Sequence, residues 1–194
     1  MDRLHVVITR SSVLCVALVA CSDDKAAPVV TSRTETAKSN TQAGTASTEA
    51  FCDKHFTADT APTFPWPTMT GPAPTPAKHW TWVNIWASWC KPCIEETPRL
   101  VRWHDKLGVD LVFVSIDESD DDVTAFRKIH ADWPRTLRLS DAKKQQDWFK
   151  AIGIDAGAPI PVHAFLDANG KTRCVRAGEV RDKDYEVVKK LLAE

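Results

Sequence analysis

The sequence has no surplus of charge of either sign. Its 25 lysines and arginines nearly balance its 26 aspartates and glutamates, which leaves a formal net charge of −1. A broad basic surface for nucleic acid and a long acidic tail would each need an excess of one sign. We therefore expect no nucleic-acid partner.

Long apolar runs are also missing beyond the N-terminus, so no later segment is expected to cross a membrane. The first residues have the pattern of an export signal: Arg3 and Arg10 supply positive charge, and residues 12–20 form an apolar stretch too short to span a bilayer. This stretch ends in Leu-Val-Ala-Cys, which resembles the lipobox of bacterial lipoproteins. We predict a lipoprotein signal peptide over 1–21 with lipid on Cys21; the alternative is an ordinary secretory signal with an incidental cysteine.

Few large apolar residues follow the signal. Residues 22 to about 50 are rich in alanine, threonine and serine and have no apolar periodicity. Such a stretch cannot bury enough surface to offset the entropy of ordering it. All eight tryptophans lie after residue 60, and six prolines between 61 and 78 favour an extended loop. We predict a disordered tether over 22–60 and a folded domain over 61–194.

Only one Cys-x-x-Cys motif is present, and it is formed by Cys90, Lys91, Pro92 and Cys93. It lies between an apolar, β-prone run and a helical run. The partial positive charge of a helix N-terminus favours a thiolate over a thiol, and two intervening residues let the sulfurs form a disulfide ring. The motif predicts a thiol–disulfide oxidoreductase in which Cys90 attacks and Cys93 resolves.

A zinc site is the alternative for these two cysteines. Because a second Cys-x-x-Cys is absent, Cys52 and His55 would have to complete a Cys₃His set with Cys90 and Cys93. An oxidising compartment and the flanking Trp89 favour the redox interpretation. A plain structural bridge is the third reading.

Strands and helices alternate from about residue 79. Apolar runs and helical spacing predict this series of elements. In chain order they are strand 80–86, helix 92–107, strand 109–116, helix 120–131, strand 135–139, helix 142–152, strands 162–166 and 173–175, and helix 184–192. The series implies parallel strands first and, around Asn169-Gly170, an antiparallel hairpin last.

These motifs resemble the TlpA/ResA-like family of membrane-tethered disulfide reductases. The residues that carry the resemblance are 82–93 (Trp-Val-Asn-Ile-Trp-Ala-Ser-Trp-Cys-Lys-Pro-Cys), 96–100 (Glu-Thr-Pro-Arg-Leu), and Pro161 ahead of 164–167 (Ala-Phe-Leu-Asp). The resemblance covers roughly 62–194. It implies an α/β thioredoxin fold, with a central mixed β-sheet flanked by helices.

The resemblance also implies roles for individual residues. Glu96 matches the family acid that could accept the proton of the resolving thiol, and Pro161 matches the cis-proline that packs against the dithiol. Ile160, before it, would offer backbone hydrogen bonds to an incoming chain. The family's usual threonines fall on Val162 and His163. The alternatives are an exposed Glu96 at the helix start and a trans Pro161 that opens a strand. The histidines, His163 included, are interpreted as surface or core residues.

Three neighbours of the cysteines are expected to tune or extend the site. Lys91 adds positive charge beside Cys90, Pro92 fits a helix's first turn because it lacks an N–H, and Trp89 supplies apolar surface for a partner. The alternatives are a solvated Lys91 and a Trp89 in the core.

Cys52 and Cys174 remain after the signal, lipid and active-site cysteines are removed. An even remainder in an exported protein predicts a structural disulfide. Free thiols and a redox relay are the alternatives.

The predicted function is reduction of disulfides in cysteine-containing proteins or peptides of the bacterial cell envelope, by a lipid-anchored protein whose domain lies in the periplasm. The resemblance implies electrons from a membrane thiol–disulfide carrier, with cytochrome c maturation as one family role. No metal, nucleotide or organic cofactor is expected beyond the Cys90–Cys93 disulfide. The alternatives are a disulfide-donating oxidant and a non-catalytic metal-binding module of the same fold.

Overall fold

The structure is a computed structural model that describes residues 47–75 and 78–194. The predicted signal peptide, Cys21 and most of the predicted tether lie outside the described residues. The strands are β1 (Lys54–His55), β2 (Thr81–Trp86), β3 (Asp110–Ser115), β4 (Thr136–Arg138), β5 (Val162–Leu166) and β6 (Thr172–Ala177). The α-helices are α1 (Thr48–Phe51), α2 (Lys91–Leu107), α3 (Asp120–Ile129), α4 (Gln145–Ala151) and α5 (Tyr185–Leu191). Short 3₁₀ turns, Ala142–Lys144 and Asp182–Asp184, lead into α4 and α5.

Six strands form one mixed sheet in the order β1-β6-β5-β2-β3-β4. Strands β2, β3 and β4 are parallel, whereas β5 runs antiparallel to β2, and β6 antiparallel to β5. Parallel neighbours need a crossover, and α2 and α3 supply the two crossovers of this sheet. The predicted α/β thioredoxin fold, with parallel strands first and a hairpin last, is confirmed.

Helices cover the face of β2 that carries Trp82, Asn84 and Trp86. Side chains alternate along a strand, so these three residues share one face. Trp82 packs against Trp103 of α2, with ring centroids 6.5 Å apart, and Trp86 packs against Phe126 of α3 at 5.2 Å. All six residues of β2 are buried, which explains its nearly continuous apolar sequence.

The loop before β2 contains no helix between residues 61 and 75, and isolated β-bridges join Thr63 to Lys171 and Met69 to Leu139. Its aromatic residues hold it to the domain: Phe64 is buried and packs edge-on against Trp66, with ring centroids 4.8 Å apart. The indole N–H of Trp148 donates to the carbonyl oxygen of Pro65 over 3.0 Å.

The predicted boundary between tether and domain at residue 61 is wrong. Residues 47–60 contain α1 and β1, and β1 pairs with β6 at the edge of the sheet. Phe51 is buried, and Cys52 forms a disulfide with Cys174 of β6. Hydrogen bonds add to these contacts, among them one from Arg176 Nη1 to the Phe51 carbonyl oxygen and one from the Ala177 N–H to Asp53 Oδ2. Few of the residues that hold the segment are apolar, so its sequence shows no periodic apolar pattern.

Within the described ranges, no helix combines the length and apolar character needed to cross a bilayer.

The Cys52–Cys174 disulfide confirms the predicted pairing, and it joins positions 122 residues apart. Because a cross-link of that span restricts the unfolded chain, we expect its reduction to lower the free energy of unfolding by about 2–5 kcal/mol. The measurement is urea unfolding, with and without reductant, of a Cys90→Ser/Cys93→Ser variant that retains only this bridge.

The matched control is the Cys52→Ser/Cys174→Ser variant, in which only the short Cys90–Cys93 ring remains to be reduced and a much smaller change is expected. Equal changes in the two variants, or two free thiols in the intact mass of the first one, would contradict this role.

Candidate active site

Cys90 and Cys93 form a disulfide at the N-terminus of α2. Cys90 is the N-cap residue, and its Sγ accepts the backbone N–H of Cys93 over 3.3 Å. Cys90 is 4% exposed and Cys93 is fully buried. After reduction, the same N–H and the helix N-terminus would stabilise a negative sulfur at Cys90. The arrangement therefore presents one sulfur as the attacking group and keeps the other behind it.

The segment before β5 lies against this disulfide. The Ile160–Pro161 peptide bond is cis, as predicted, so the trans alternative is wrong. The Cys90 Sγ is 3.6 Å from the carbonyl oxygen of Ile160. Pro161 is buried and Ile160 is half-buried. The backbone of Ile160 therefore lies directly beside the sulfur of Cys90.

The loop between β2 and α2 is fixed by the buried carboxylate of Asp117. The backbone N–H of Ser88 lies 3.1 Å from each carboxylate oxygen, and the Ser88 hydroxyl donates to Oδ1 over 2.7 Å. The Ser115 hydroxyl donates to Oδ2. Charge-assisted hydrogen bonds of this kind are stronger than neutral ones. Asp117, which sequence reasoning did not single out, therefore sets the position of the residues that lead into Cys90.

An ion pair supports the loop that carries Asp117. Arg138 of β4 donates from Nε to Asp120 over 2.7 Å and from Nη1 toward the Asp117 carbonyl oxygen at 3.5 Å. The hydrogen bond to Arg138 holds the pKa of the Asp120 carboxyl below its usual value. The same bond raises the pKa of Arg138.

The three residues that were expected to tune or extend the site, Trp89, Lys91 and Pro92, are more exposed than the two cysteines. Trp89 is 68% exposed, so the core alternative for it is wrong. Lys91 points into solvent, and its Nζ is 3.6 Å from the carboxylate of Glu95, which leaves its charge well screened. Pro92 lies in the first turn of α2, where its missing N–H leaves no hydrogen bond unmade.

A groove of about 480 Å³ lies beside Trp89. Ile116 provides apolar lining, and Glu118, Asp141 and Lys143 place charges of both signs around it.

Glu96 is fully buried, so the predicted alternative of an exposed carboxylate is wrong. Asn84 Nδ2 donates to its Oε1 over 2.8 Å, and the backbone N–H of Val180 donates to its Oε2 over 3.0 Å. Glu96 follows Cys93 by three residues on α2, which places both side chains on one face of the helix. The site therefore holds a carboxylate one turn from the resolving cysteine.

His163 is the site residue whose surroundings sequence reasoning missed. It lies in β5 directly opposite Asn84 of β2, is fully buried, and its Nε2 is 3.5 Å from Glu96 Oε1. The available signal was a titratable residue inside the apolar run 162–166, two positions after the cis-proline.

The structure does not assemble the Cys₃His set, because Cys52, one of its four ligands, is bonded to Cys174. No cluster of histidine, cysteine or carboxylate side chains suited to a metal ion occurs in the part of the chain that the structure describes.

The sequence profile of the family described as Redoxin matches residues 58–192, well over half of the chain. The chain belongs to the Redoxin family. Its similarity to the thiol-disulfide oxidoreductase ResA of Geobacillus thermodenitrificans is 27% identity over 108 residues, 54% of this chain and 58% of that protein. The thioredoxin-like protein YneN of Bacillus subtilis is 30% identical over 112 residues, 54% and 59% of the two chains. The predicted TlpA/ResA-like relationship is confirmed.

This Redoxin protein matches somewhat less than two thirds of the length of those relatives. Among solved structures, it is similar to a thioredoxin-related protein from Neisseria meningitidis serogroup B, with 28% identity and a TM-score of 0.49 over 60% of this chain and 86% of that one.

Replacing Asp117 by Asn tests its hold on the loop. An amide has a single acceptor oxygen, so at least one of the bonds from Ser88 and Ser115 is lost or reversed. We expect the free energy of unfolding, measured by urea denaturation of the oxidised protein, to fall by about 1–3 kcal/mol.

The neighbouring, exposed Glu118 is the control, and Glu118→Gln is expected to change stability by less than about 0.5 kcal/mol. Equal effects of the two substitutions would show that Asp117 has no special part in fixing the loop.

Proposed function

We propose that this chain is a thiol–disulfide oxidoreductase of the bacterial cell envelope that reduces disulfides in cysteine-containing proteins. The observation that carries the proposal is the Cys90–Cys93 disulfide, which caps α2 and borders Ile160. Cys90, at the N-terminus of α2, accepts a backbone N–H and is therefore suited to form a thiolate, which is the nucleophile of disulfide exchange.

The reduced protein would react in two exchanges. The Cys90 thiolate attacks one sulfur of the substrate disulfide, so a Cys90–substrate bond forms while the substrate's own S–S bond breaks and its second sulfur leaves as a thiolate. Cys93 then loses its proton and attacks Cys90 Sγ, which breaks the mixed disulfide and releases the second substrate thiolate. Two electrons pass to the substrate, and the protein ends with its disulfide. No further cofactor is needed for this chemistry.

Glu96 is the proposed acceptor of the Cys93 proton. Both groups are buried, so bulk water has little access to the thiol, and the carboxylate lies one turn along the same helix. A positioned base that takes a proton in the reacting state typically contributes 10²–10⁴-fold to a rate.

The surroundings of Cys90 favour protein substrates over small disulfides. Trp89 offers an exposed aromatic surface beside a groove, and the half-buried Ile160 presents main-chain groups next to the sulfur. A short extended segment of substrate could pair with this backbone. We propose a membrane thiol–disulfide carrier as the source of electrons and the cysteines of apocytochrome c as one substrate; both rest on the TlpA/ResA-like resemblance.

The envelope location rests on two observations. The apolar segment that ends at Cys21 has the form of a lipoprotein signal, and the Cys52–Cys174 disulfide fits a compartment where disulfides persist. We propose that lipid on Cys21 anchors the protein and that the domain faces the periplasm.

The reduction potential of the Cys90–Cys93 pair tests the direction of electron flow. Thiol trapping in glutathione and dithiothreitol buffers is expected to give a value near or below roughly −230 mV, in the range of thioredoxin-like reductants. A value near about −120 mV would make the protein an oxidant.

We further expect Cys93→Ser to accumulate a mixed disulfide with a peptide that contains an oxidised Cys-x-x-Cys-His motif, whereas Cys90→Ser does not. Absence of any reversible couple would refute the enzyme proposal.

Cys21→Ser tests the anchor. Loss of the acylated residue is expected to move the protein from the membrane fraction to the soluble fraction of fractionated cells, because the acyl chains supply the binding free energy. Cys15→Ser, a change within the same segment that leaves the lipobox cysteine in place, is the control. Unchanged membrane association of the Cys21→Ser protein would contradict lipid anchoring.

A further inference from the structure

A fully buried polar cluster lies between β2, β5 and α2. It consists of Trp82 and Asn84 of β2, His163 of β5 and Glu96 of α2. Burying polar and charged groups is unfavourable unless they are hydrogen-bonded. The hydrogen-bond partners inside this cluster therefore decide where the hydrogens of His163 lie.

Trp82 fixes the tautomer of His163. Its indole Nε1–H lies 3.1 Å from His163 Nδ1. An indole nitrogen can only donate, so Nδ1 has to be the nitrogen without a proton. The imidazole is then neutral, and its hydrogen is on Nε2.

The Nε2 atom that carries this hydrogen lies near the Glu96 carboxylate without being hydrogen-bonded to it. His163 Nε2 is buried, has no hydrogen-bond partner, and is 3.5 Å from Glu96 Oε1, which is longer than an ordinary hydrogen bond. The same oxygen already accepts from Asn84, and Oε2 accepts from the backbone of Val180. A small approach of the two side chains would give the carboxylate a third donor.

Other charged groups reach the cluster only indirectly. Arg99 of α2 donates to the Val180 carbonyl oxygen over 2.7 Å and lies 3.7 Å from Glu179, on the loop that supplies the Val180 N–H. Trp103, which packs against Trp82 from α2, carries no charge. Glu96 and His163 are thus the titratable residues of the cluster, and the side chains that face them from β2, Trp82 and Asn84, are neutral.

We propose that His163 is a positioning residue for the resolving step: its neutral imidazole donates Nε2–H to Glu96 and keeps that carboxylate ionised and able to accept the proton of Cys93. Burial by itself disfavours the ionised carboxylate. A Glu96 that is already protonated could not accept the proton of Cys93. The inference rests on the proposed function, because it assigns a helper to the proton acceptor of that reaction.

The test separates the two exchanges with one reagent. Reduced protein is mixed with 5,5′-dithiobis(2-nitrobenzoate), an aromatic disulfide: attack by Cys90 releases one coloured thiolate, and attack by Cys93 on the mixed disulfide releases the second. For His163→Leu we expect the first release to stay within about twofold of the parent. We expect the second to slow by about tenfold, with its half-maximal pH about one unit higher, since a pH unit corresponds to tenfold in proton affinity.

Matched variants distinguish positioning from mere packing. His163→Gln retains a donor, although with different reach, and is expected to restore part of the second rate. Glu96→Gln is expected to slow the second release at least as much as His163→Leu does and to leave a rate that rises with pH only as the Cys93 thiol itself ionises. His104→Leu, on the outer part of α2, is the histidine control and should leave both releases unchanged.

Several outcomes would overturn the inference. It fails if His163→Leu slows both releases equally, or if the second release keeps its parental rate and pH profile while stability falls. Should His163→Leu not fold, Trp82→Phe decides: loss of the indole donor frees the tautomer, so the second release should slow and its pH profile move, and an unchanged profile contradicts the proposal. If the parent protein itself releases no thiolate, the proposed function fails first, and this outcome is distinct from the others.

Discussion

The antiparallel pairing of β2 with β5 is the constraint on which the site depends. Ile85 lies opposite Val162, so the end of β2 and the start of β5 meet at the same edge of the sheet. The chain that leaves β2 leads within four residues to Cys90, and the chain that enters β5 has just passed Ile160 and Pro161. Two segments 70 residues apart in sequence therefore meet at one sulfur. Every other feature of the site is built around that meeting point.

The same register creates the buried polar cluster. Asn84 and His163 are directly opposed, and directly opposed residues project from the same face of a sheet. A slip of one residue would turn His163 to the other face and bring Ala164 in its place, which would leave Glu96 one potential donor short. Apart from Thr81 at the start of β2, apolar residues fill the remaining positions of both strands, so the polar contacts between them lie in one patch under α2. The register that aligns the backbone near Cys90 also sets the electrostatic surroundings of Glu96.

Local sequence predicted most of the fold because strands and helices are local patterns. β5 has the predicted bounds 162–166, and α2 begins one residue before the predicted position. The burial of Glu96 was also open to prediction, since it shares helical spacing with Cys93, Leu100 and Trp103 on the apolar face of α2. The hydrogen-bond partners of His163 could not be predicted, because they depend on which strand lies beside β5 and in which register. The ordered segment before residue 61 was missed for a similar reason: Phe51 and Cys52 order it only through contacts with residues that are distant in sequence, Phe165 and Cys174.

Accessibility does not by itself explain why one disulfide would be reactive and the other structural. Cys90 is only 4% exposed, and Cys52, which is half-buried, is the more accessible sulfur by residue exposure. The difference lies in what surrounds the sulfurs. Cys90 accepts a backbone N–H at the start of a 17-residue helix, so a thiolate at this position is stabilised. The exposed Trp89 beside it offers a surface to a partner. Cys174 is fully buried in the sheet within an apolar cluster, and burial disfavours a thiolate. Reactivity in this chain therefore follows from stabilisation of the Cys90 thiolate at a helix N-terminus, and exposure is secondary.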